Sequence, residues 1–295
     1  MTLERNELEE LLKLAIAAAR SAAAVIGQYR HTSMDVRRKG EGTLSATVVT
    51  EVDVKSQGVI VETLRPALEK FDIALLSEEQ PDDGARLEKR AFFCVDPLDG
   101  TLPFIEGKPG YSVSIGLVSK AGDPLLGVIL DPEAERLYSA IRGGGAFCGS
   151  ERISMAMGEP DRVLTAVVDR SSIESDQLSE MTQIANRVSR ELACESVDIF
   201  NYGGAAMNAM VALRRQPGCY FKFPRKGESG GSLWDYGASA CIYREAGAVA
   251  TDMSGEPLQL NRPGSTYMNH RGFIYATDAR IGELIQRLCR ERGII

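Results

Sequence analysis

The spacing of hydrophobic and polar residues changes near the middle of the chain. In the first half, apolar positions at helical spacing predict two helices, over residues 8–29 and 54–68, separated by a strand over residues 45–53. Short apolar runs that end in acids or turns then predict strands, at FDIALLSEE, FFCVDPLDG, YSVSIGLVS and GVILDPEAERLYSAIRGGGAFCG. The last of these runs is long enough for two or three strands. The alternation within YSVSIGLVS predicts a strand with one buried face.

The second half alternates strands with helices. Strands are predicted at VLTAVVD, CYFKF, AVATD and GFIYATD, and helices over residues 176–192, 204–213, 234–246 and 280–290. Such alternation favours an α/β layer arrangement. We therefore predict two lobes, an α+β lobe over residues 1–157 and an α/β lobe over residues 158–295.

Composition and charge exclude several classes of protein. The 295 residues are 44% hydrophobic and 25% charged, as in an ordinary soluble protein. A net charge of −7 argues against a general nucleic-acid binder, which needs a basic face. The acidic N-terminus is unlike a secretory signal, and Lys13 and Arg20 interrupt the best candidate for a membrane span. The six cysteines are scattered without a C-x-x-C pair, and with only two histidines they argue against a Cys/His zinc site. We therefore expect a reduced, cytoplasmic protein without membrane or nucleic-acid partners.

Acidic residues follow three of the apolar runs, VVTEVD, LLSEE and FCVDPLD, and Asp235 opens a predicted helix. Most of these acids also have a purely structural interpretation: a turn at DPLDG, a solvated loop at Glu78 and Glu79, and a helix N-cap at Asp235. Together, oxygen ligands without His or Cys suit a hard cation such as Mg²⁺. The Pro97 ring stiffens the turn and would aim two carboxylates at one point.

Two motifs carry a resemblance to a known family. DPLDGT at residues 96–101 and WDYGASACIYREAG at residues 234–247 resemble the two signatures of the inositol monophosphatase superfamily, whose members are Mg²⁺-dependent, lithium-sensitive phosphomonoesterases. The resemblance implies an α+β fold, the layered α-β-α-β-α sandwich of the inositol monophosphatase and fructose-1,6-bisphosphatase type. The N-terminal lobe would bind metal, and the C-terminal lobe would supply Asp235 and substrate contacts. A homodimer is one option that the resemblance leaves open.

The resemblance also implies a set of two or three Mg²⁺ ions. Glu78, Asp96 and the Leu98 carbonyl would bind the first ion. Asp96, Asp99 and Asp235 would bind the second. Glu78 would support a third, weaker site through water.

Catalytic and phosphate-binding roles follow from the same resemblance. Asp53 and Thr101 would orient and deprotonate the attacking water, and Glu78 counts among the catalytic residues. The backbone N–H groups of Gly100 and Thr101 would hold the phosphate at the start of a helix.

The substrate is less sharply indicated. LSEE, VDPLDGT and FIEGKPGYSVSIGL resemble the bacterial 3′(2′),5′-bisphosphate nucleotidases, which remove the 3′-phosphate of 3′-phosphoadenosine 5′-phosphate. Two departures point elsewhere: Leu102 replaces the lysine usual in that subgroup, and GGAAMN at residues 203–208 is nearer to the inositol phosphatase form. That stretch places Gly204 and Ala205 among the predicted substrate contacts.

A basic loop precedes Trp234. Its cations, Lys222, Arg225 and Lys226, are predicted to meet a second phosphate, with a solvated basic loop as the alternative. On balance we predict an Mg²⁺-dependent phosphomonoesterase acting on 3′-phosphoadenosine 5′-phosphate. An inositol 1-phosphatase or another sugar-phosphate phosphatase remains the enzymatic alternative. A catalytically silent, phosphate-sensing scaffold is the non-enzymatic one.

Overall fold

The computed structural model describes residues 3–30, 36–38, 48–155, 162–227 and 231–295. Within these ranges, the helices are α1 Arg5–Tyr29, α2 Glu51–Phe71, α3 Thr101–Ile105, α4 Arg170–Ile173, α5 Gln177–Glu191, α6 Ala205–Arg214, α7 Leu233–Ala246 and α8 Ala279–Glu291. The strands of the first half are β1 Val36–Arg38, β2 Val48–Thr50, β3 Ala74–Ser77, β4 Ala91–Asp99, β5 Ser112–Ser119, β6 Pro124–Asp131, β7 Arg136–Ile141, β8 Gly145–Cys148 and β9 Glu151–Ile153. Those of the second half are β10 Val163–Val167, β11 Ser196–Phe200, β12 Gly218–Lys222, β13 Val249–Thr251 and β14 Phe273–Ala276.

Two large sheets organise the described chain. Strands β3 to β9 form a seven-stranded sheet in sequence order, antiparallel except for the parallel pair β3 and β4. The second sheet has five strands in the order β11-β10-β12-β14-β13, with β10 parallel to both of its neighbours. Strands β1 and β2 form a separate antiparallel pair.

Three hydrophobic cores hold the five layers of helices and sheets together. Helices α1 and α2 cover one face of the seven-stranded sheet. Helices α6 and α7 fill the space between the two sheets. Helices α5 and α8 cover the outer face of the five-stranded sheet. The predicted α-β-α-β-α sandwich is therefore confirmed, and the layers around α6 and α7 position the acids described below.

Helix α1 shows why the sequence favours this packing. Its buried positions recur three or four residues apart, so they form one stripe: Leu8, Leu11, Ala15, Ala18, Ala19, Ala22 and Ile26. The small alanines let α1 lie close to α2 and the sheet. The predicted helix over residues 8–29 is thus confirmed, and it begins three residues earlier than expected.

Two local predictions are wrong. Strand β5 is buried on both faces apart from its last residue, because α1 and α7 pack on opposite sides of the sheet. The predicted strand over residues 45–53 is shorter, because α2 already begins at Glu51; residues 45–47 lie outside the described residues. The short strands β1, β9 and β11 and the helix α4 were not predicted from the sequence.

The proposed division after residue 157 remains a prediction, since residues 156–161 lie outside the described residues. Helix α7 from the second half packs against strands of the first sheet. No helix in the described part of the chain combines the length and apolar character that a membrane crossing requires.

Candidate active site

Three aspartates from two distant segments converge at the end of β4. Ligand oxygens of Asp96, Asp99 and Asp235 all lie within 4.8 Å of one another. Strand β4 is buried along its whole length, and its pairing with β5 is irregular between Asp96 and Asp99. The Asp96 carboxylate accepts a hydrogen bond from the Leu98 N–H at 3.0 Å, which fixes the turn around Pro97. The strand end thus presents both carboxylates to one point, as the sequence predicts.

Asp235 reaches this point from helix α7. It is the third residue of the helix in a capping box, and its carboxylate accepts a hydrogen bond from the Ser232 N–H at 2.5 Å. Ser232 is therefore the N-cap, and the alternative interpretation of Asp235 as the N-cap is wrong. One carboxylate oxygen closes the cap, while the side chain also faces Asp96 and Asp99.

Asp99 joins the first sheet to helix α6. Its two oxygens accept hydrogen bonds from the N–H groups of Ala205 and Ala206, each at 2.9 Å. Unpaired N–H groups at a helix start favour a negative charge, so this contact stabilises ionised Asp99. A Cβ on Gly204 would lie 2.4 Å from that carboxylate, so only glycine fits at this approach.

Without a metal, burial and mutual repulsion disfavour the ionised forms of the three aspartates. Burial raises the pKa of Asp99 to about 7, although its backbone hydrogen bonds oppose the change. Burial and the nearby Asp99 charge raise the pKa of Asp235 to about 7. Burial, Glu78, Asp99 and Asp235 raise the pKa of Asp96 well above its usual range. A bound cation would relieve this penalty.

Glu78 and the Leu98 carbonyl border the three aspartates. The Glu78 N–H donates to the Val95 carbonyl at 3.1 Å, so the residue continues β3 alongside β4. Glu78 is outside the group within 4.8 Å, but its charge acts on both Asp96 and Asp99. The Leu98 carbonyl lies 3.2 Å from the Thr101 hydroxyl. The metal-binding roles of Glu78 and of the Leu98 carbonyl remain predictions.

Asp53 of helix α2 and Thr101 of helix α3 form a hydrogen-bonded pair. The Thr101 hydroxyl lies 3.0 Å from Oδ1 of Asp53. Oδ2 of Asp53 accepts from the Thr50 N–H at 2.8 Å and from the Thr50 hydroxyl at 2.6 Å, in the capping box of α2. Burial raises the pKa of Asp53, against the effect of these hydrogen bonds. The sequence analysis did not identify Thr50 as a partner of Asp53. Its position three residues before Asp53 is the spacing of a capping box and could have indicated this role.

Gly100 adopts the left-handed conformation that the turn into α3 requires, with φ of 85°. A Cβ there would lie 2.9 Å from the Gly110 carbonyl oxygen. Helix α3 begins at Thr101, as predicted for the residues that would hold a phosphate. Their contact with phosphate remains a prediction.

Most of the predicted substrate contacts of the second half form hydrogen bonds with other protein groups. The Gly204 N–H donates to the Gly110 carbonyl at 2.8 Å, and the Ala205 N–H donates to Asp99. Arg225 donates to the Gln177 amide oxygen at 2.8 Å, whereas Lys226 is exposed. Their roles toward substrate remain predictions. Part of the glycine-rich stretch before Trp234, residues 228–230, lies outside the described residues.

Lys222 is buried rather than exposed on a loop. Its ammonium donates to Asp169 at 2.5 Å, and only 4% of its side chain is accessible. Asp169 also accepts from the Tyr220 hydroxyl at 2.5 Å and from Asn208 at 3.3 Å. Burial raises the pKa of Asp169, but Lys222 and the two other donors outweigh it and hold that pKa below its usual value. Lys222 also acts on Asp235, so this ion pair lies beside the acid cluster.

The donor set fits Mg²⁺. The candidate ligands offer carboxylate and carbonyl oxygens, the atoms that hard divalent cations prefer. Three carboxylates held close together, each with a raised pKa, need a positive charge to be ionised together. The residues that would hold the ion are therefore Asp96, Asp99 and Asp235, with Glu78 and the Leu98 carbonyl beside them.

The chain is similar to known proteins over most of its length. A profile of the inositol monophosphatase family matches residues 7–292. Human "Inositol monophosphatase 2" is 29% identical over 255 residues, which cover 85% of this chain and 83% of the human protein. "Nus factor SuhB" of Escherichia coli K12 is 30% identical over 250 residues, covering 84% of this chain and 87% of that protein. The crystal structure of suhB from Bartonella henselae superposes with a TM-score of 0.72 at 24% identity, covering 96% of this chain and 99% of that one. This chain belongs to the inositol monophosphatase family.

Proposed function

We propose that this protein is an Mg²⁺-dependent phosphomonoesterase. The observation that carries the proposal is the convergence of Asp96, Asp99 and Asp235 beside the hydrogen-bonded pair of Asp53 and Thr101. Bound Mg²⁺ would supply the positive charge that activates a water molecule and stabilises the departing oxygen of a phosphate ester.

Proton transfer in this proposal is assigned to Asp53 and Thr101. The Thr101 hydroxyl would accept a proton from the attacking water as it donates its own to Oδ1 of Asp53. Thr50 holds the other oxygen of Asp53, so the carboxylate keeps its orientation. The raised pKa of Asp53 makes it a stronger base than an exposed aspartate.

For the substrate we propose a phosphate monoester of a small polyol, with inositol 1-phosphate as the test compound. Two of the three cations predicted to meet a second phosphate are hydrogen-bonded to protein groups, Lys222 to Asp169 and Arg225 to Gln177. Leu102 replaces the lysine that would favour a bisphosphate. A relative of 29% identity bears the name inositol monophosphatase.

3′-Phosphoadenosine 5′-phosphate is the second candidate substrate. The LSEE motif favours it, because it resembles the nucleotidase sequence. A third candidate is a binding role without turnover, because several relatives bear the name Nus factor.

Phosphate release from both substrates tests these candidates. Purified protein with Mg²⁺ would be compared with the variant Asp96→Asn, with and without lithium. We expect lithium-sensitive release from inositol 1-phosphate that exceeds release from the nucleotide and is lost in the variant. Preference for the nucleotide would overturn the polyol proposal but not the phosphatase. If neither ester is hydrolysed although Mg²⁺ raises the melting temperature, the binding role replaces the phosphatase.

A further inference from the structure

Gln57 lies one helical turn after Asp53 in α2, so both side chains leave the same face of the helix. Asp53 points to Thr101, whose hydroxyl donates to it. Gln57 points instead to the segment that carries Glu78. Helix α2 is thus bonded both to Thr101 and to the residues on either side of Glu78.

The Gln57 amide oxygen accepts two hydrogen bonds. One comes from the Ser77 hydroxyl at 2.5 Å and the other from the Glu79 N–H at 3.0 Å. A backbone N–H can only donate, so the orientation of the amide is fixed by its partners. Ser77 is fully buried at the end of β3. Gln57 therefore holds the residues immediately before and after Glu78.

Glu78 follows the last residue of β3, is half-buried, and belongs to a turn. Its own N–H donates to the Val95 carbonyl, which anchors its backbone on the β4 side. Gln57 supplies the anchor on the α2 side. These two anchors fix the backbone that carries the Glu78 carboxylate, whose charge acts on Asp96.

We propose that Gln57 is a positioning residue that fixes Glu78 beside Asp96 and so sets the Mg²⁺ affinity of the acid cluster. The inference rests on the proposed function, because it requires that the cluster binds Mg²⁺. Gln57 does not contact the reacting atoms in this proposal. Groups that orient metal ligands typically change metal affinity by about 10- to 100-fold when they are removed.

The test compares wild type with Gln57→Leu, Gln57→Glu and a matched control, Thr63→Val. Thr63 lies on the same helix and is half-buried. Its hydroxyl donates to the Val59 carbonyl of the same helix at 2.7 Å. Each protein would be titrated with Mg²⁺ while its melting temperature is followed. Phosphate release at saturating Mg²⁺ would be measured in parallel.

We expect Gln57→Leu to raise the Mg²⁺ midpoint about tenfold, with kcat largely recovered at saturating Mg²⁺. Gln57→Glu keeps an acceptor oxygen for Ser77 and Glu79 and should restore a midpoint close to that of wild type. Thr63→Val should leave the midpoint unchanged. This difference separates positioning of Glu78 from a general loss of stability.

A wild-type midpoint in Gln57→Leu would overturn the inference, as would an equal shift in Thr63→Val. If Gln57→Leu does not fold, Ser77→Ala removes one of the two donors and must raise the midpoint by a smaller factor; an unchanged midpoint then overturns the inference. A wild-type protein whose melting temperature does not respond to Mg²⁺ would refute the proposed function itself. A response in wild type with no change in Gln57→Leu would refute only the role of Gln57.

Discussion

Replacing Asp96 with Asn tests whether the aspartates are held together for a cation. Their ligand oxygens lie within 4.8 Å of one another, so two full charges at that distance repel by about 3 kcal/mol at an effective dielectric constant of about 20. Protonation relieves part of this repulsion in the metal-free protein. The variant should therefore raise the free energy of unfolding without metal by about 1–3 kcal/mol at about pH 8.5. Phosphate release should fall about a thousandfold, since metal-based charge stabilisation of about 4 kcal/mol is lost.

The assay is urea unfolding in a metal chelator at about pH 8.5 and about pH 5.5. Burial raises the pKa of Asp99 and Asp235 to about 7, so both are largely protonated at the lower pH, and the gain should shrink there. The control is Asp252→Asn, because Asp252 is buried but paired with Arg271 at 3.1 Å, and its loss should destabilise at both pH values. A loss of stability in Asp96→Asn at both pH values, or near-normal turnover, would refute the reasoning.

Three further changes have defined outcomes. The Mg²⁺-induced rise in melting temperature should be larger at about pH 8 than at about pH 5.5, because the raised pKa of Asp99 and Asp235 lets protons compete with the metal; an equal rise by scanning fluorimetry contradicts this. Thr101→Val should lower kcat by about 10²- to 10⁴-fold and keep the Mg²⁺-induced rise, whereas loss of that rise would place Thr101 in metal binding. Gly204→Ala should destabilise by about 1–3 kcal/mol in urea unfolding and weaken Mg²⁺ binding, because its Cβ meets Asp99. Gly58→Ala has open space and should not destabilise; equal stability of both variants would show that the Asp99 contact is unimportant.

The acids of the site were predictable because each follows an apolar run or opens a helix. Local sequence also encodes how two of them are held: Asp53 and Asp235 are each the third residue of a helix and form a capping box with the N-cap residues Thr50 and Ser232. Each carboxylate therefore stabilises its own helix and also faces the site. This double use explains why a purely structural interpretation of each acid looks adequate when it is considered alone.

Contacts between residues far apart in the chain could not be predicted from local sequence. The pair formed by Lys222 and Asp169 joins residues 53 positions apart, and Asp99 meets Ala206 across 107 positions. Lys222 lies in a run of apolar and basic residues that also fits an exposed loop, so its burial depends on strand β12 pairing with β14. The burial of β5 on both faces likewise depends on helix α7 from the other half of the chain. Periodicity predicts an element, but the neighbours that cover it are set by the whole fold.

The steric reason for glycine at two positions of the site was also not predictable from the sequence. Gly100 and Gly204 were selected from motifs as substrate contacts. In the structure, one allows the turn into α3, and the other makes room for the Asp99 carboxylate. The motif identified the positions, and only the fold shows the steric reason for glycine at each.

The dependence of phosphate release on Mg²⁺ tests the central claim most directly. Inositol 1-phosphate would be incubated with wild type and with Asp235→Asn, first in a metal chelator and then with increasing Mg²⁺. We predict no release in the chelator, saturable release with Mg²⁺ for wild type, and little release for the variant, because Asp235 completes the group of three acids. Release in the chelator, or an unchanged Mg²⁺ response in the variant, would contradict the assignment of these aspartates as the metal site.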